Sequence, residues 1–259
     1  TRLMSDIQIE REAPLAWVVL NRPTRRNAVT SAMWQDLPTL AAEIGADPSL
    51  RVALLRGAGQ EAFSAGADIS EMEATMAHPE RMRSMQDAVQ VAQDVWARLP
   101  LPTVAVVHGA CVGGGCGLAL ACDLRLAADD SFFAIPPAKL GLVYSLADTK
   151  RLVDLVGPSF AKEMLFTGRR VSAREAYDCG LVNHLFPVTE LDAAARELAL
   201  VIANNAQSSV RGAKRIIAEL IDGSHAESTE TRALYDDAFS SEEFIEGARA
   251  FLEKRLPRF

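Results

Sequence analysis

The chain has 259 residues, 49% of them hydrophobic and 24% charged, with a net charge of −7. That length buries roughly three quarters of the unfolded surface in one or two packed units, while the apolar content excludes wholesale disorder and the acidic balance argues against a general nucleic-acid binder. No apolar run nears the ~18 residues of a membrane span, and the amino-terminal TRLMSDIQIE has no signal-peptide core, so the expectation is a soluble, cytoplasmic protein with no membrane or nucleic-acid partner.

Short valine-rich runs at Ala16–Leu20, Val52–Leu55 and Thr103–Val107, bounded by turn or charged residues, predict buried strands. Between the second and third, Met82, Met85, Val89, Ala92, Trp96 and Leu99 recur at steps of three and four. This spacing predicts a helix that starts near Pro79, is stopped by Pro100 and Pro102, and turns its stripe to the core. Strand–helix alternation implies an α/β layered core. In the second half Leu191, Ala195, Leu198 and Ile202 again step at helical spacing, and Arg211–Ile221 continues in helical composition. Asp222–Thr229 (DGSHAEST) is a polar loop, followed by two amphipathic helices over Glu230–Phe239 and Glu242–Leu256.

Four cysteines make no disulfide framework at this length. Three of them, Cys111, Cys116 and Cys122, crowd into twelve residues, but without a C-x-x-C and amid small apolar neighbours. Core packing, not a metal site, is the expectation.

Three segments have the composition of a ligand site. Glu61–Glu71 (EAFSAGADISE) runs from apolar residues into a small-residue turn at Gly66, where backbone could approach a ligand closely; a plain turn capped by Asp68 or Ser70 is the alternative. His108–Asp123 (HGACVGGGCGLALACD) follows a strand and feeds a glycine turn into a helix, presenting N–H groups to developing negative charge. The dinucleotide pattern G-x-G-x-x-G fails there, because position 118 is Leu. Asn21–Ala28 (NRPTRRNA) gathers Arg22, Arg25 and Arg26 in an acidic protein, either as a solvated turn or as a site for ligand phosphates.

Together these segments, with AKEMLFTGRRVSAREAYDCGLVN (Ala161–Asn183) and FLEKRLPRF (Phe251–Phe259), resemble the crotonase superfamily, the enoyl-CoA hydratase/isomerase proteins that act on acyl-coenzyme A thioesters. The resemblance implies a spiral of ββα units carrying the acyl-CoA site over residues 1–190, and a helical trimerisation region over residues 191–259, giving a homotrimer or hexamer. It implies an oxyanion hole made by the N–H groups of Ala67 and Gly114, which would hold the charge of a thioester enolate. It further implies coenzyme A contacts at Arg22, Arg26, Ala28, Ala65, Gly66, Ala67, Asp68, Ile69, Gly114 and Pro136, with Lys254 at the nucleotide end. No cofactor or metal is implied, coenzyme A being part of the substrate.

The same resemblance places the two water-handling glutamates of typical hydratases at Gly117 and Pro137, neither of which can transfer a proton. Tyr144 matches a tyrosine of methylmalonyl-CoA decarboxylase, a superfamily member. The expectation is therefore a lyase such as a malonyl-type acyl-CoA decarboxylase with Tyr144 as a catalytic group. The alternatives are a hydratase or isomerase using another acid or base, such as Asp148 or Glu71, or a silent acyl-CoA binder. Surface or capping roles are expected for Asp148 and Ser145, solvated positions for Glu71 and Glu73, and a structural role for His108.

Overall fold

Strands that are apolar on both faces need a covering layer on each side, and the fold supplies two. The computed structural model describes residues 6–75 and 77–259. In chain order these form β1 (Ile7–Glu12), β2 (Leu15–Leu20), α1 (Ser31–Ala46), β3 (Val52–Gly57), β4 (Ala62–Ser64), α2 (Ile69–Thr75) and α3 (Pro79–Ala97). There follow β5 (Thr103–Val107), β6 (Ala110–Val112), α4 (Gly114–Leu120), β7 (Leu124–Ala128), β8 (Phe132–Ala134) and α5 (Leu146–Thr167). The chain closes with β9 (Val171–Ser172), α6 (Ala173–Asp178), β10 (His184–Phe186), α7 (Leu191–Ala203), α8 (Gln207–Ile221), α9 (Thr229–Ala238) and α10 (Glu242–Glu253).

The larger sheet has the order β1-β2-β3-β5-β7-β10, and the smaller one β4-β6-β8-β9. Strands β2, β3, β5, β7 and β10 pair in parallel, with Leu15 opposite Val52 and Ala53 opposite Thr103. From β3 onward the chain lays one strand in the larger sheet and the next in the smaller: β3 then β4, β5 then β6, β7 then β8. This is the ββα spiral that the resemblance implies.

One face of the larger sheet (Ala16, Val18, Leu20, Leu55, Ala105, Val107) packs on Trp34 of α1, Trp96 of α3 and Leu118 of α4. The other (Leu15, Trp17, Leu54, Val104, Leu126) is covered by Leu191, Ala195, Ala199 and Ala203 of α7. Each fully buried large aliphatic side chain contributes about 1.5–3 kcal/mol, and the three alanines let α7 approach the sheet closely. The division at residue 190 falls just ahead of α7, so the first helix beyond it packs as part of the core.

Helix α3 starts at Pro79 and ends at Ala97, as the proline positions predict, with Ala92 and Trp96 buried. Ser145 caps α5, a helix broken at Gly157, whose φ of +73° precedes Pro158. Cys111, Cys116 and Cys122 lie in the main core; burial pushes the Cys111 thiol up and the Cys122 thiol to about 12.

Candidate active site

The turn after β4 is held by its own backbone and by a partly buried ion pair. Gly66 has φ +96°, and a Cβ there would lie 2.9 Å from the Val112 carbonyl oxygen, so only glycine fits. The turn is stitched to residues 26–29: Ala65 N–H donates to Arg26 O at 2.9 Å, Val29 N–H to Gly66 O at 2.8 Å and Asp68 N–H to Val29 O at 3.1 Å. Arg22 spans both strips, donating Nη1 to Asp68 Oδ2 at 2.7 Å and to Ala28 O at 2.8 Å. Its Nε stands 3.5 Å from Asp6. The guanidinium proposed for ligand phosphates is thus committed to Asp68, while Arg25 and Arg26 are exposed. Asp68 also caps α2, accepting from the Ser70 backbone N–H at 3.0 Å.

Hydrogen bonds from Ser70 and Arg22 hold the Asp68 carboxyl down at about 2, from an ordinary 3.8. A depressed carboxyl adds stability above its unfolded value and loses it as pH falls through the folded one. Asp68→Asn should cost about 1–2 kcal/mol at neutral pH and flatten the acid limb of the melting temperature between pH 3.8 and 2. Parallel acid limbs in variant and parent would contradict this role.

The second turn abuts the first. A Cβ on Gly66 would stand 3.4 Å from the Gly114 nitrogen, and one on Gly114 would stand 3.9 Å from the Ala67 nitrogen and 3.3 Å from the Trp34 ring. Among the described residues neither the Ala67 nor the Gly114 N–H donates to a protein acceptor. At the other end of α4, the buried Arg125 donates Nη1 to Cys122 O and Nε to Leu181 O, both at 2.7 Å, and Nη1 also reaches Ala119 O of the helix's last turn at 3.4 Å. Sequence reasoning passed over Arg125; its signal is a lone cation in the apolar strand LRLAA.

One turn into α4, roughly 4.5 Å along its axis from Gly114, polar groups crowd around Gly117. A Cβ built there would overlap the Gln93 amide and stand 3.0 Å from the Tyr144 hydroxyl and 3.3 Å from Asp148 Oδ1. The Gln93 amide, with nitrogen facing the carboxylate, donates to Asp148 at 2.8 Å and 3.0 Å. Ser145 Oγ donates to Oδ2 at 2.9 Å and Arg151 Nη1 to Oδ1 at 3.0 Å. Asp148 is only 5% exposed. Burial raises its carboxyl pKa, against the opposing pull of Ser145 and Arg151. Burial and the Asp148 charge together push the Tyr144 phenol well up, and its hydroxyl has no hydrogen-bond partner among the described residues. The surface or capping role expected of Asp148 is therefore corrected in part: its N–H is capped by Ser145, but its carboxylate is buried and faces Gly117.

This arrangement lies on a chain whose relatives are recognisable. The enoyl-CoA hydratase/isomerase family pattern matches residues 10–259. The chain belongs to the enoyl-CoA hydratase/isomerase family. A solved enoyl-CoA hydratase/isomerase family protein from Hyphomonas neptunium is 42% identical, with a TM-score of 0.96 over 100% of this chain and 99% of that one. An enoyl-CoA hydratase from Bacillus anthracis is 33% identical, with a TM-score of 0.90 over 98% of this chain and 99% of that one. The short-chain-enoyl-CoA hydratase of Clostridium acetobutylicum is 34% identical over 257 residues, 97% of this chain and 96% of its own.

Other residues singled out in this family member lie at the edge of the two turns or beyond them. Pro136 precedes a 3-10 turn at Pro137–Leu140, and Ile69 is 76% exposed beside Asp68. Lys254 ends α10 with φ +55°, and no hydrogen bond ties its side chain to the two turns among the described residues. Glu71 Oε2 accepts from the Ser31 N–H at 2.6 Å and anchors the start of α1. His108 is buried and bonds Asp192 at 3.0 Å, which fits a structural role. No helix among the described residues is long and apolar enough to cross a membrane.

Proposed function

We propose that the protein is an enoyl-CoA hydratase/isomerase in which one buried carboxylate, Asp148, moves the proton. The observation that carries this reading is the convergence of Asp148, Gln93 and Tyr144 on the space a side chain at Gly117 would occupy. By resemblance the enolate oxygen sits between the N–H groups of Ala67 and Gly114; one such donor is worth roughly 2.7–4 kcal/mol. Asp148 removes a proton from C2 of a 3-enoyl thioester, the electrons moving into the carbonyl to give a dienolate. The same carboxyl returns the proton at C4, leaving the 2-enoyl thioester. A raised pKa makes the carboxyl readier to hold the proton between the two halves of this exchange. A proton moved within one substrate needs a single carboxyl, whereas hydration also needs a group to handle water. Isomerisation should therefore be the faster activity. The hydratase names of the relatives support a substrate of the enoyl-CoA class.

The decarboxylase reading rested on the missing carboxylates at Gly117 and Pro137 and on the match of Tyr144; a carboxylate beside the substrate would repel the anionic group that leaves. Asp148 stands 3.3 Å from where the Gly117 Cβ would be, and that weakens it. In its favour remains the Tyr144 hydroxyl, unpartnered among the described residues, which could hold a leaving carboxylate. A panel of 3-enoyl-, crotonyl-, malonyl- and methylmalonyl-CoA, run with parent and Tyr144→Phe, separates the two. We expect 3-enoyl-CoA to turn over fastest, crotonyl-CoA hydration to lag an ordinary hydratase by about 10²–10⁴, and Tyr144→Phe to leave isomerisation within about threefold. Malonyl-type turnover that outpaces isomerisation and falls at least tenfold in Tyr144→Phe, about 1.4 kcal/mol of barrier, would replace isomerase by lyase. Binding without turnover across the panel would reduce the protein to an acyl-CoA binder.

We also propose a trimer or a dimer of trimers. Family resemblance supplies the symmetry, and the tail supplies apolar surface: Phe239, Phe244 and Ile245 are half exposed, Phe251 83% and Leu256 87%. Sedimentation at micromolar concentration should show a species of three or six chains, and a monomer would refute this.

A further inference from the structure

Behind Asp148 lies a second layer of charge that the proton transfer above does not use. Arg151, one turn along α5, places Nη1 3.0 Å from Asp148 Oδ1 and Nη2 against Asp94 of α3. Exposure rises along this line, from 7% for the Asp148 side chain through 18% for Arg151 to 39% for Asp94. One guanidinium therefore spans an inner carboxylate on α5 and an outer one on α3, and α3 also contributes Gln93 to the inner one. We propose that Arg151 and Asp94 are a positioning pair for the acid–base group: Asp94 takes part of the guanidinium's charge, so that Arg151 orients Asp148 without locking it as a carboxylate.

The charges facing Asp148 limit the alternatives. From its own helix come Ser145 and Arg151, from α3 Gln93 and Asp94, and from the preceding loop Tyr144. From α4 comes Gly117, without a side chain, and Cys116 and Cys111 lie on the Tyr144 side. Arg151 is the cation among these. An undivided cation at this distance would hold a buried aspartate ionised, which suits a permanent anion but not a group that must take up and release a proton. Dividing the charge with a half-exposed partner keeps the geometry and weakens the hold. Removing the outer carboxylate should make Asp148 a stronger acid, and removing the cation should make it a weaker one.

The inference rests on the reading of Asp148 as the proton-transferring group, but its test needs no turnover. In full-length protein with 13C-labelled aspartate carboxyls, Asp148→Asn assigns the Asp148 signal, and its titration midpoint is followed by NMR. Asp94→Asn should lower that midpoint by about half a pH unit or more, and Arg151→Gln should raise it by about one unit or more. The pH profile of kcat/KM for 3-enoyl-CoA should shift the same way in each variant, with KM within about threefold of the parent at each variant's pH optimum, because neither residue is proposed to touch substrate. A pair that merely braces α3 against α5 would lower the melting temperature and leave the midpoint in place. A midpoint that stays put in Asp94→Asn, or that moves the same way in both variants, overturns the proposal. Should Arg151→Gln fail to fold, the Asp94→Asn arm, at a half-exposed position, decides alone. If the midpoints move as expected while Asp148→Asn is as active as the parent, the pair stands and the isomerase reading falls.

Discussion

Asp148→Asn should lower kcat/KM for a 3-enoyl-CoA by about 10²–10⁴, the usual contribution of a positioned acid–base group, with the fold intact. The carboxamide keeps the side chain's size, and its oxygen can still accept from Arg151 at the 3.0 Å contact. What it loses is exchange of the proton. Stability should move the other way. A carboxyl whose folded pKa is raised stabilises the fold below its unfolded value of 3.8 and loses that contribution as pH rises through the folded value. The parent should therefore lose melting temperature over a window that starts near 3.8 and runs upward, and Asp148→Asn should lack that loss and be at least as stable near neutrality. This is opposite in sign to Asp68, whose window runs downward from 3.8 to about 2. Thermal melts from pH 3 to 8, with single-turnover assays on the same samples, test both. A variant at more than about a tenth of parental turnover would remove Asp148 from the mechanism.

Gly117→Glu should fail to create a hydratase. A glutamate there would begin inside the Gln93 amide and 3.3 Å from Asp148 Oδ1. Overpacking costs about 1–3 kcal/mol, and two carboxylates in one buried site force one of them to take up a proton. We expect a melting temperature lower by roughly 5 °C or more, weaker isomerisation, and no gain in crotonyl-CoA hydration. Gly117→Glu/Gln93→Ala opens the occupied space and should recover part of the lost stability, a non-additivity expected of groups in contact. If Gly117→Glu were as stable as the parent and hydrated crotonyl-CoA rapidly, the space beside Gly117 would not be filled as described.

Much of the scaffold is legible because its elements have local signatures. A strand buried on both faces is a continuous apolar run, as in AWVVL and TVAVV, and a helix with one buried face repeats at 3.6, as from Met82 to Leu99. The two glycine turns are legible for a related reason, since a φ of +96° at Gly66 admits little else. Helix α1 was passed over although Met33, Trp34, Leu37, Ala41 and Ile44 step at helical spacing; Pro38 lies inside it. The partner of Arg22 was not legible, because Asp68 lies 46 residues away and only the folded chain brings the two together.

By itself the sequence determined the α/β class, strands β2, β3 and β5 of the larger sheet and the two turns, which follow from short-range patterns of apolarity and glycine, and the family, which follows from the resemblance of its motifs. Only the tertiary structure decided what stands beside Gly117. Gln93 comes from α3, Tyr144 from a loop and Asp148 from the start of α5, and the Arg151–Asp94 contact joins residues 57 apart. Isolated polar residues have no period to reveal them, and an aspartate near a helix start reads as a cap wherever it occurs. Burial changes its chemistry, and burial is a property of α3, α4 and α5 meeting, not of the residues that precede and follow Asp148 in the chain.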